Sequence, residues 1–377
     1  MKRVLATSSH PGGINAILPV IRQLNQEGQV NVISIGHESS EKMLAAAGIS
    51  YRTLSSYGVG TTSEEELELL IERVSPNIVL TGTGDSDRDG KKVIEQTIVS
   101  AARNAGITSL SVLDVWANYS LRFSDPLNLE EGHLRFLPDK VAVMDELARS
   151  TMVAEGFPID RLVVTGNPFF DDLVEVGRRF GSSNREEVRA DLGVSADALL
   201  LLYASQPIEH HYGDSLGYTE KTALDALLSS LNKTRTGREV SLLVKVHPRE
   251  NIPDLEEVAE KYSGVHVLFD QDYPTRPTVL ASDVVFSPFS TVLIESTYLH
   301  KPSISLQPGL RQKDLLVTNE LGVTVPIYTS EDLDVVVQKV LSDESYLREL
   351  SIKGHKKGFV VDGDATDKVT SLVYSLL

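Results

Sequence analysis

The sequence lacks cysteine, contains a single tryptophan and is poor in aromatic residues, which make up 6% of the chain. Without cysteine, a disulfide framework, a thiolate metal site and a cysteine nucleophile are all excluded. Long apolar runs are also missing: none approaches the ~20 residues that cross a bilayer, and residues 1–6 do not begin a signal peptide. We therefore expect a cytoplasmic protein without a transmembrane segment.

Basic residues are scarce relative to acidic ones. The chain has 36 lysines and arginines against 53 aspartates and glutamates, a formal net charge of −17. A general nucleic-acid binder needs a basic surface to displace counterions from phosphates, so that class is excluded. Any phosphate must therefore bind to a small local group of hydrogen-bond donors.

The length of 377 residues suits two domains, and the pattern of apolar runs indicates what they are. Short apolar runs alternate with helix-length segments, which is typical of α/β folds with doubly wound parallel sheets (Rossmann-like domains). We predict an N-terminal domain at 1–170, onto which residues 360–377 cross back, and a C-terminal domain at 171–359. The loop-like segment 181–184 follows the boundary. Strands are predicted at 4–6, 30–35, 78–81, 109–113, 140–143, 162–165, 199–204, 241–246, 265–269, 284–287 and 302–306.

Ligands of open parallel sheets bind beyond the carboxyl ends of the strands, so residues directly after strands are the candidates for a site. In the first domain His10, Gly12 and Gly13 follow the first strand and lead into a helix. Free amide groups at a helix start could cradle a phosphate or approach a sugar. An ordinary strand-to-helix turn explains the glycines equally well.

In the second domain two strand ends carry potential donors to an anion. Ser205 and Gln206 follow one predicted strand, and Lys245, His247 and Arg249 follow the next. Histidine can donate a hydrogen bond to a phosphate oxygen and can protonate it near neutral pH. The concentration of donors in so acidic a chain favours a binding site over a structural cap.

A third strand end in this domain contains Ser287, Ser290 and Thr291. The last two would begin a helix, so hydroxyls and backbone N–H groups converge there on a point suited to a phosphate. Glu295 lies one turn further along the same face, where its carboxylate could accept hydrogen bonds from ribose hydroxyls. The alternative is a helix cap followed by an ordinary glutamate.

Several of these segments resemble motifs of one enzyme superfamily. Residues 245–248 (KVHP) resemble the H-P motif of bacterial capsule and sialic-acid transferases, and Ser290-Thr291-x-x-x-Glu295 resembles their S-S/T-x-x-x-E helix. Residues 161–167 (RLVVTGN) resemble the segment that enters the second domain, and 362–366 (DGDAT) the start of the last helix. The chain therefore resembles the GT-B superfamily, which also contains the peptidoglycan N-acetylglucosaminyltransferase and UDP-N-acetylglucosamine 2-epimerase.

This resemblance implies a GT-B-like fold, with the two domains facing a cleft, and a glycosyltransferase of the inverting type. The donor would be a nucleotide sugar such as a UDP-sugar, and the acceptor a glycan, a lipid or another cell-surface molecule, as in polysaccharide biosynthesis. In those families the H-P histidine and the hydroxyl pair contact the donor phosphates. A homodimer is compatible with this interpretation.

Two departures bear on the alternatives. The epimerase pattern has an Asp-Ser-Gly-Gly loop where this chain has 286–290 (FSPFS), and His-x-Glu-Ala-Gly where it has 113–116 (LDVW). A nucleotide-sugar epimerase or hydrolase is therefore disfavoured but remains the first alternative. The second is a sugar-nucleotide binding protein without catalysis, because a fold does not dictate a function.

An inverting transfer needs a base, which we expect in the first domain. The acidic segment 84–90 follows a predicted strand, and Asp85 or Asp89 is the first choice; Asp114 and His10 are the reserves. Oxygen ligands in this segment suit magnesium, so a divalent metal is conceivable. It is not required, and no cofactor is expected, because donors alone can hold the charge of the leaving group.

Overall fold

The computed structural model describes residues 1–84, 92–125, 127–128, 131–234, 236–356 and 362–377. The chain divides into two compact units. The first comprises Met1–Asp172 together with Asp362–Leu377, and the second comprises Leu173–Val361. Each unit has a parallel sheet with helices, so the predicted fold class is confirmed.

The first unit contains a seven-stranded parallel sheet in the order β3-β2-β1-β4-β5-β6-β7. Its strands are β1 (Arg3–Ser8), β2 (Asn31–Gly36), β3 (Arg52–Thr53), β4 (Ile78–Thr81), β5 (Thr108–Val112), β6 (Lys140–Val143) and β7 (Leu162–Val164). The chain winds outward from β1 to β3 and then resumes at β4 on the other side of β1. The switch point of the sheet therefore lies between the ends of β1 and β4, where ligands of such sheets bind.

The helices that belong to the first unit cover both faces of this sheet. They are α1 (Pro11–Glu27), α2 (Ser39–Ala46), α3 (Glu64–Val74), α4 (Ile94–Asn104), α5 (Tyr119–Phe123), α6 (Glu146–Ala154) and the last helix of the chain, α18 (Ala365–Leu376). Helices α1 and α18 share one apolar core with β1, and α3 and α4 share another on the opposite face. Between the units in sequence, α7 spans Asp171–Arg179.

Local sequence explains where two of these helices begin. Pro11 occupies the first turn of α1, where its missing N–H costs no hydrogen bond. Ser63 caps α3 by accepting a hydrogen bond from the Glu66 N–H, and three glutamates in the first turn complement the helix dipole. The carboxyl terminus of α18 is fixed onto α1 by the hydrogen bond from the Tyr374 hydroxyl to Glu27 (2.5 Å).

The second unit has a six-stranded parallel sheet in the order β10-β9-β8-β11-β12-β13. Its strands are β8 (Leu199–Ala204), β9 (Val240–Lys245), β10 (His266–Asp270), β11 (Val284–Ser287), β12 (Ser303–Leu306) and β13 (Val325–Ile327). Its helices are α8 (Ser182–Asp191), α9 (Ile208–Tyr212), α10 (Glu220–Lys233), α11 (Ile252–Ala259), α12 (Thr275–Ala281), α13 (Thr291–Tyr298), α14 (Val317–Glu320), α15 (Ser330–Ser342), α16 (Glu344–Ser351) and α17 (Lys353–Lys356). The switch point lies between β8 and β11.

One sequence-based prediction about the backbone is wrong. Segment 181–184 was expected to be a loop, but α8 begins at Ser182. The side-chain oxygen Oδ1 of Asn184 accepts a hydrogen bond from the Gly181 N–H (3.1 Å), so the polar residues that favour a loop instead satisfy the start of a helix.

Candidate functional site

The loops after β8, β9 and β11 are tied to one another at the switch point of the second unit. The Ser205 hydroxyl donates to Glu250 (2.7 Å), which joins the loops after β8 and β9. The Gln206 side-chain carbonyl accepts from the Phe289 N–H (2.9 Å), and the Ser287 hydroxyl donates to the Ala204 carbonyl (2.6 Å). The predicted residues Ser205, Gln206 and Ser287 therefore hold the three loops in register.

His247 lies in the loop after β9, and its ring has a defined tautomer. Nδ1 accepts a hydrogen bond from the Arg249 N–H (3.1 Å), so the proton of the neutral ring is on Nε2. Burial lowers the pKa of His247, and the charges of Arg249 and His211 add to this effect. Near neutral pH, His247 is therefore a neutral donor through Nε2–H.

The N-terminus of α13 lies at the end of β11. The Ser290 hydroxyl caps this helix by accepting from the Val292 N–H (3.2 Å), and Thr291 is exposed at the first position. The Ser305 hydroxyl donates to the Pro288 carbonyl (2.6 Å) and fixes the turn before the cap. A hydroxyl and the positive end of a helix are thus available in one place.

Glu295 lies one turn further along α13. Its carboxylate is 3.7 Å from Nε of Arg276 on α12. Burial raises the pKa of Glu295, although the Arg276 guanidinium opposes the shift. The carboxylate is partly exposed and can accept further hydrogen bonds.

The other two predicted donors of this unit differ from each other. Lys245 is buried, and its ammonium donates to Asp270 and to the Tyr273 carbonyl (both 2.5 Å), so it joins β9 to β10 and the turn that follows. The Lys245 ammonium is thus already paired with the Asp270 carboxylate. Arg249 is exposed, and among the residues that the structure describes it has no ion-pair partner.

Glu250 was not identified from the sequence. One carboxylate oxygen accepts the Ser205 hydroxyl, and the other accepts the His247 N–H (3.1 Å). Burial raises the pKa of Glu250 to about 7, in spite of these two hydrogen bonds. Its position three residues after His247, in a loop that follows a buried strand, was the one signal in the sequence.

We expect Glu250 to make stability depend on pH. A carboxyl whose folded pKa is raised contributes stability that is present below its unfolded pKa of 4.5 and is lost as the pH rises through about 7. Allowing for partial solvent screening, the loss is on the order of 1–2 kcal/mol. Urea unfolding of the wild type and of Glu250→Gln from about pH 5 to about pH 8, which spans the titration, should give a difference in unfolding free energy that changes with pH. A constant difference would contradict the assignment.

In the first unit, a buried glutamate organises the turn after β1. Glu95 accepts hydrogen bonds from the Ser8 hydroxyl (2.6 Å), the Ser9 N–H (2.8 Å) and the Ser9 hydroxyl (2.8 Å). The turn places the His10 ring against Gly84, where an added Cβ would lie 2.8 Å from the ring. His10 therefore lies at the switch point, beside the first residue of the predicted acidic segment.

Asp114 is bound by its own neighbours. Its Oδ1 accepts from the Thr83 hydroxyl (2.6 Å) and from the buried Arg122 guanidinium (2.9 Å). A Cβ on Gly12 would lie 2.0 Å from Asp114 Oδ2, and one on Gly13 would lie 2.5 Å from the Thr83 carbonyl oxygen. Both glycines therefore allow α1 to pack closely against the neighbouring loops. The Asp114 carboxylate would repel an anionic ligand at this helix start.

The described residues offer neither a metal-binding cluster nor a membrane-spanning helix. Within the described ranges, no group of three or more histidine and acidic side chains is arranged to hold a metal ion. Asp85 and Asp89, the first choices for a base, lie outside the described residues, so they stay predictions. In the same part of the chain, no helix combines the length and apolar character needed to span a bilayer.

Solved structures with the same fold are GT-B proteins. UDP-GlcNAc 2-epimerase from Neisseria meningitidis bound to UDP-GlcNAc is 16% identical, with a TM-score of 0.70 and full coverage of both chains. S. aureus MnaA with UDP is 17% identical, with a TM-score of 0.63, and the match covers all of this chain and 98% of that one. MurG of Acinetobacter baumannii is 13% identical, with a TM-score of 0.63 and full coverage of both. The fold is that of the GT-B class.

Within this class the sequence itself identifies the family. Residues 138–375 match the CDP-Glycerol:Poly(glycerophosphate) glycerophosphotransferase family. The chain belongs to this family, and the match contains all three strand-end loops described in the second unit. Comparison with curated proteins gives no match.

Proposed function

We propose that the chain is a transferase that moves a group from a nucleoside-diphosphate-linked donor to a hydroxyl acceptor. The observation that carries this proposal is the arrangement at the switch point of the second unit. There His247 offers a neutral Nε2–H, Ser290 caps α13, and the loops that carry both residues are tied together through Ser205 and Gln206. Such a set of fixed donors stabilises the negative charge that develops on a leaving phosphate.

Two donor classes share this mode of binding and differ in the bond that breaks. In a nucleotide sugar, the acceptor oxygen attacks the anomeric carbon and a nucleoside diphosphate leaves. In CDP-glycerol, it attacks the phosphorus that carries glycerol, and a nucleoside monophosphate leaves. The motifs around His247 and Glu295 favour a sugar and transfer with inversion to a glycan or lipid acceptor. The family match makes glycerophosphate the second candidate.

The base that accepts the hydroxyl proton is proposed in the first unit. Asp114 is a poor choice because its carboxylate is already paired with Arg122. His10 lies at the switch point with no hydrogen bond to its ring from any residue that the structure describes. We therefore take His10 as the base, and the predicted Asp85 and Asp89 are tested beside it.

Released nucleotides identify both the reaction and the donor. The protein is incubated with UDP-, GDP- and CMP-linked sugars and with CDP-glycerol, with and without glycan and lipid acceptors. Acceptor-dependent release of UDP or GDP from the matching sugar, or of CMP from a CMP-linked sugar, indicates glycosyl transfer, whereas release of CMP from CDP-glycerol indicates glycerophosphate transfer. Turnover without acceptor would favour the epimerase or hydrolase, and binding without turnover would favour the non-catalytic binder.

The ribose of the donor is assigned to Glu295. Because its partly exposed carboxylate lies one turn beyond the Ser290 cap, Glu295→Gln should weaken binding of every nucleoside diphosphate by roughly tenfold. Inorganic pyrophosphate has no ribose, so its affinity should hardly change. Competition titrations with UDP, CDP, GDP and pyrophosphate measure both effects. A loss that follows the identity of the base would contradict the assignment.

A further inference from the structure

A groove of about 560 Å³ in the first unit lies away from the residues discussed so far. It runs along the start of β2, and three arginines from separate segments line it. Arg3 begins β1, Arg52 begins β3, and Arg73 is in the last turn of α3. All three side chains are exposed to solvent.

The guanidinium groups of the groove are held in place by contacts with neutral partners. Arg3 donates to the Val74 carbonyl at the end of α3 (2.7 Å). Arg73 donates to the Tyr57 carbonyl. Arg52 lies over the ring of Tyr57, with 5.6 Å between the guanidinium carbon and the ring centroid. An arginine has five N–H donors, so each of the three retains most of its donors.

Gly58 permits this arrangement. It has a φ of +64°, and a Cβ there would lie 2.8 Å from the Arg73 guanidinium. The positive φ favours glycine here, and a larger residue would have to displace the Arg73 guanidinium from the Tyr57 carbonyl. Gly58 therefore leaves room for the Arg73 guanidinium beside the groove.

No acidic residue lines the groove in the part of the chain that the structure describes. Acidic residues outnumber basic ones by 17, and yet no carboxylate of the described residues forms an ion pair with Arg3, Arg52 or Arg73. Capping of the α3 carboxyl terminus accounts for the Arg3 contact. Helix capping does not explain why Arg52 also lines the groove, because Arg52 contacts the ring of Tyr57 and not a helix end.

The backbone beside these arginines is also open. Strand β3 pairs only with Ile35 and Gly36 of β2, so the groove-facing edge at Asn31–Ser34 has no strand partner among the described residues. Backbone donors on that edge and the hydroxyl of Tyr51 add to the guanidinium groups. The groove therefore combines positive charge with neutral hydrogen-bond donors.

We propose that this groove binds a phosphate ester, with the guanidinium groups on the phosphate and the tyrosine rings against the organic part. Guanidinium groups match phosphate oxygens in a bidentate manner, and aromatic rings suit a sugar or polyol. Arg3 and His10 lie at opposite ends of β1, which separates the groove from the proposed base by roughly 16 Å. The groove is thus a second anion site, distinct from the donor site.

Calorimetric titration with inorganic pyrophosphate at low ionic strength tests this site, in a His247→Ala background so that the proposed donor site does not contribute to the binding. Binding should weaken at least tenfold in Arg52→Gln and in Arg73→Gln. Arg161→Gln is the matched control: it removes the same charge and the same kind of contact, here with the Pro138 carbonyl (2.9 Å), outside the groove. Pyrophosphate affinity unchanged by the two groove substitutions in this background, or an equal loss in the control, would overturn the proposal.

Two further measurements make the result specific. Arg52→Lys keeps the charge but loses the bidentate geometry, so it should bind pyrophosphate more weakly than the wild type and more tightly than Arg52→Gln. Binding of glycerol 3-phosphate indicates a soluble ester, whereas binding of vesicles of equimolar phosphatidylcholine and phosphatidylglycerol indicates a lipid headgroup. Whichever of the two binds to the groove, its binding must be lost in Arg52→Gln. Binding to vesicles or to glycerol 3-phosphate that is insensitive to Arg52→Gln would count against the groove.

Discussion

His10→Gln should lower turnover by roughly 10²-fold or more while leaving donor affinity nearly unchanged. Glutamine has a similar reach but cannot take up a proton, so the variant removes the base and keeps most of the packing. The Glu95 hydrogen bonds to the turn after β1 do not involve the His10 side chain, so the fold should persist. Turnover is measured with the donor and acceptor found in the nucleotide-release assay.

Asp85→Asn and Asp89→Asn are the parallel variants for the base. If His10→Gln retains full turnover and one of these two loses it, the base is in the acidic segment, as the sequence first indicated. If donor binding is lost with EDTA and restored by magnesium, that segment instead holds a metal ion. Loss of donor affinity in His10→Gln would contradict a role confined to proton transfer.

Gly82→Ala should destabilise the first unit by about 3 kcal/mol or more. An added Cβ would lie 2.3 Å from the Gly13 carbonyl oxygen and 2.4 Å from its Cα, and these are backbone atoms that cannot rotate away. Overpacking commonly costs 1–3 kcal/mol, and more where the neighbours are rigid. The contact also fixes the start of α1 beside the end of β4, so activity should fall together with stability.

Gly60→Ala is the matched control in the same unit. An added Cβ at Gly60 meets nothing within 4 Å, and its φ is not positive. This variant should be neutral or slightly stabilising, because alanine restricts the unfolded chain. Chemical unfolding of both variants measures the difference. Equal stability of Gly82→Ala and the wild type would contradict the close packing at the switch point.

The central strands could be predicted from the sequence because they are buried on both faces. The predicted strands at 78–81, 140–143, 199–204 and 284–287 have the same bounds as β4, β6, β8 and β11. The edge strands β3 and β13 were missed. They have only two and three residues: β3 consists of the polar pair Arg52-Thr53, and β13 (Val325–Ile327) has a proline at its centre, which counts against a strand.

The candidate site was predicted in part, and the missing residues share a physical reason. Glu95 and Glu250 act through partners that the fold brings to them, and Ser8 is 87 residues from Glu95 in sequence. A buried acid has no local pattern that distinguishes it from a surface acid. The predicted donor Lys245 pairs with Asp270, which is its register partner on β10, and only the pairing of the strands reveals this.

His247 gives the most direct test of the account, because the proposed donor site depends on its Nε2–H. Calorimetric titration with UDP and CDP should show binding to the wild type and affinity lower by at least tenfold in His247→Ala, as expected for a hydrogen bond to a charged phosphate. His266→Ala is the control, since His266 begins β10 at the opposite end of the same sheet and contacts Ser241 (3.0 Å). Affinity lost in His247→Ala and kept in His266→Ala supports the account, whereas equal affinity in His247→Ala and the wild type would contradict it.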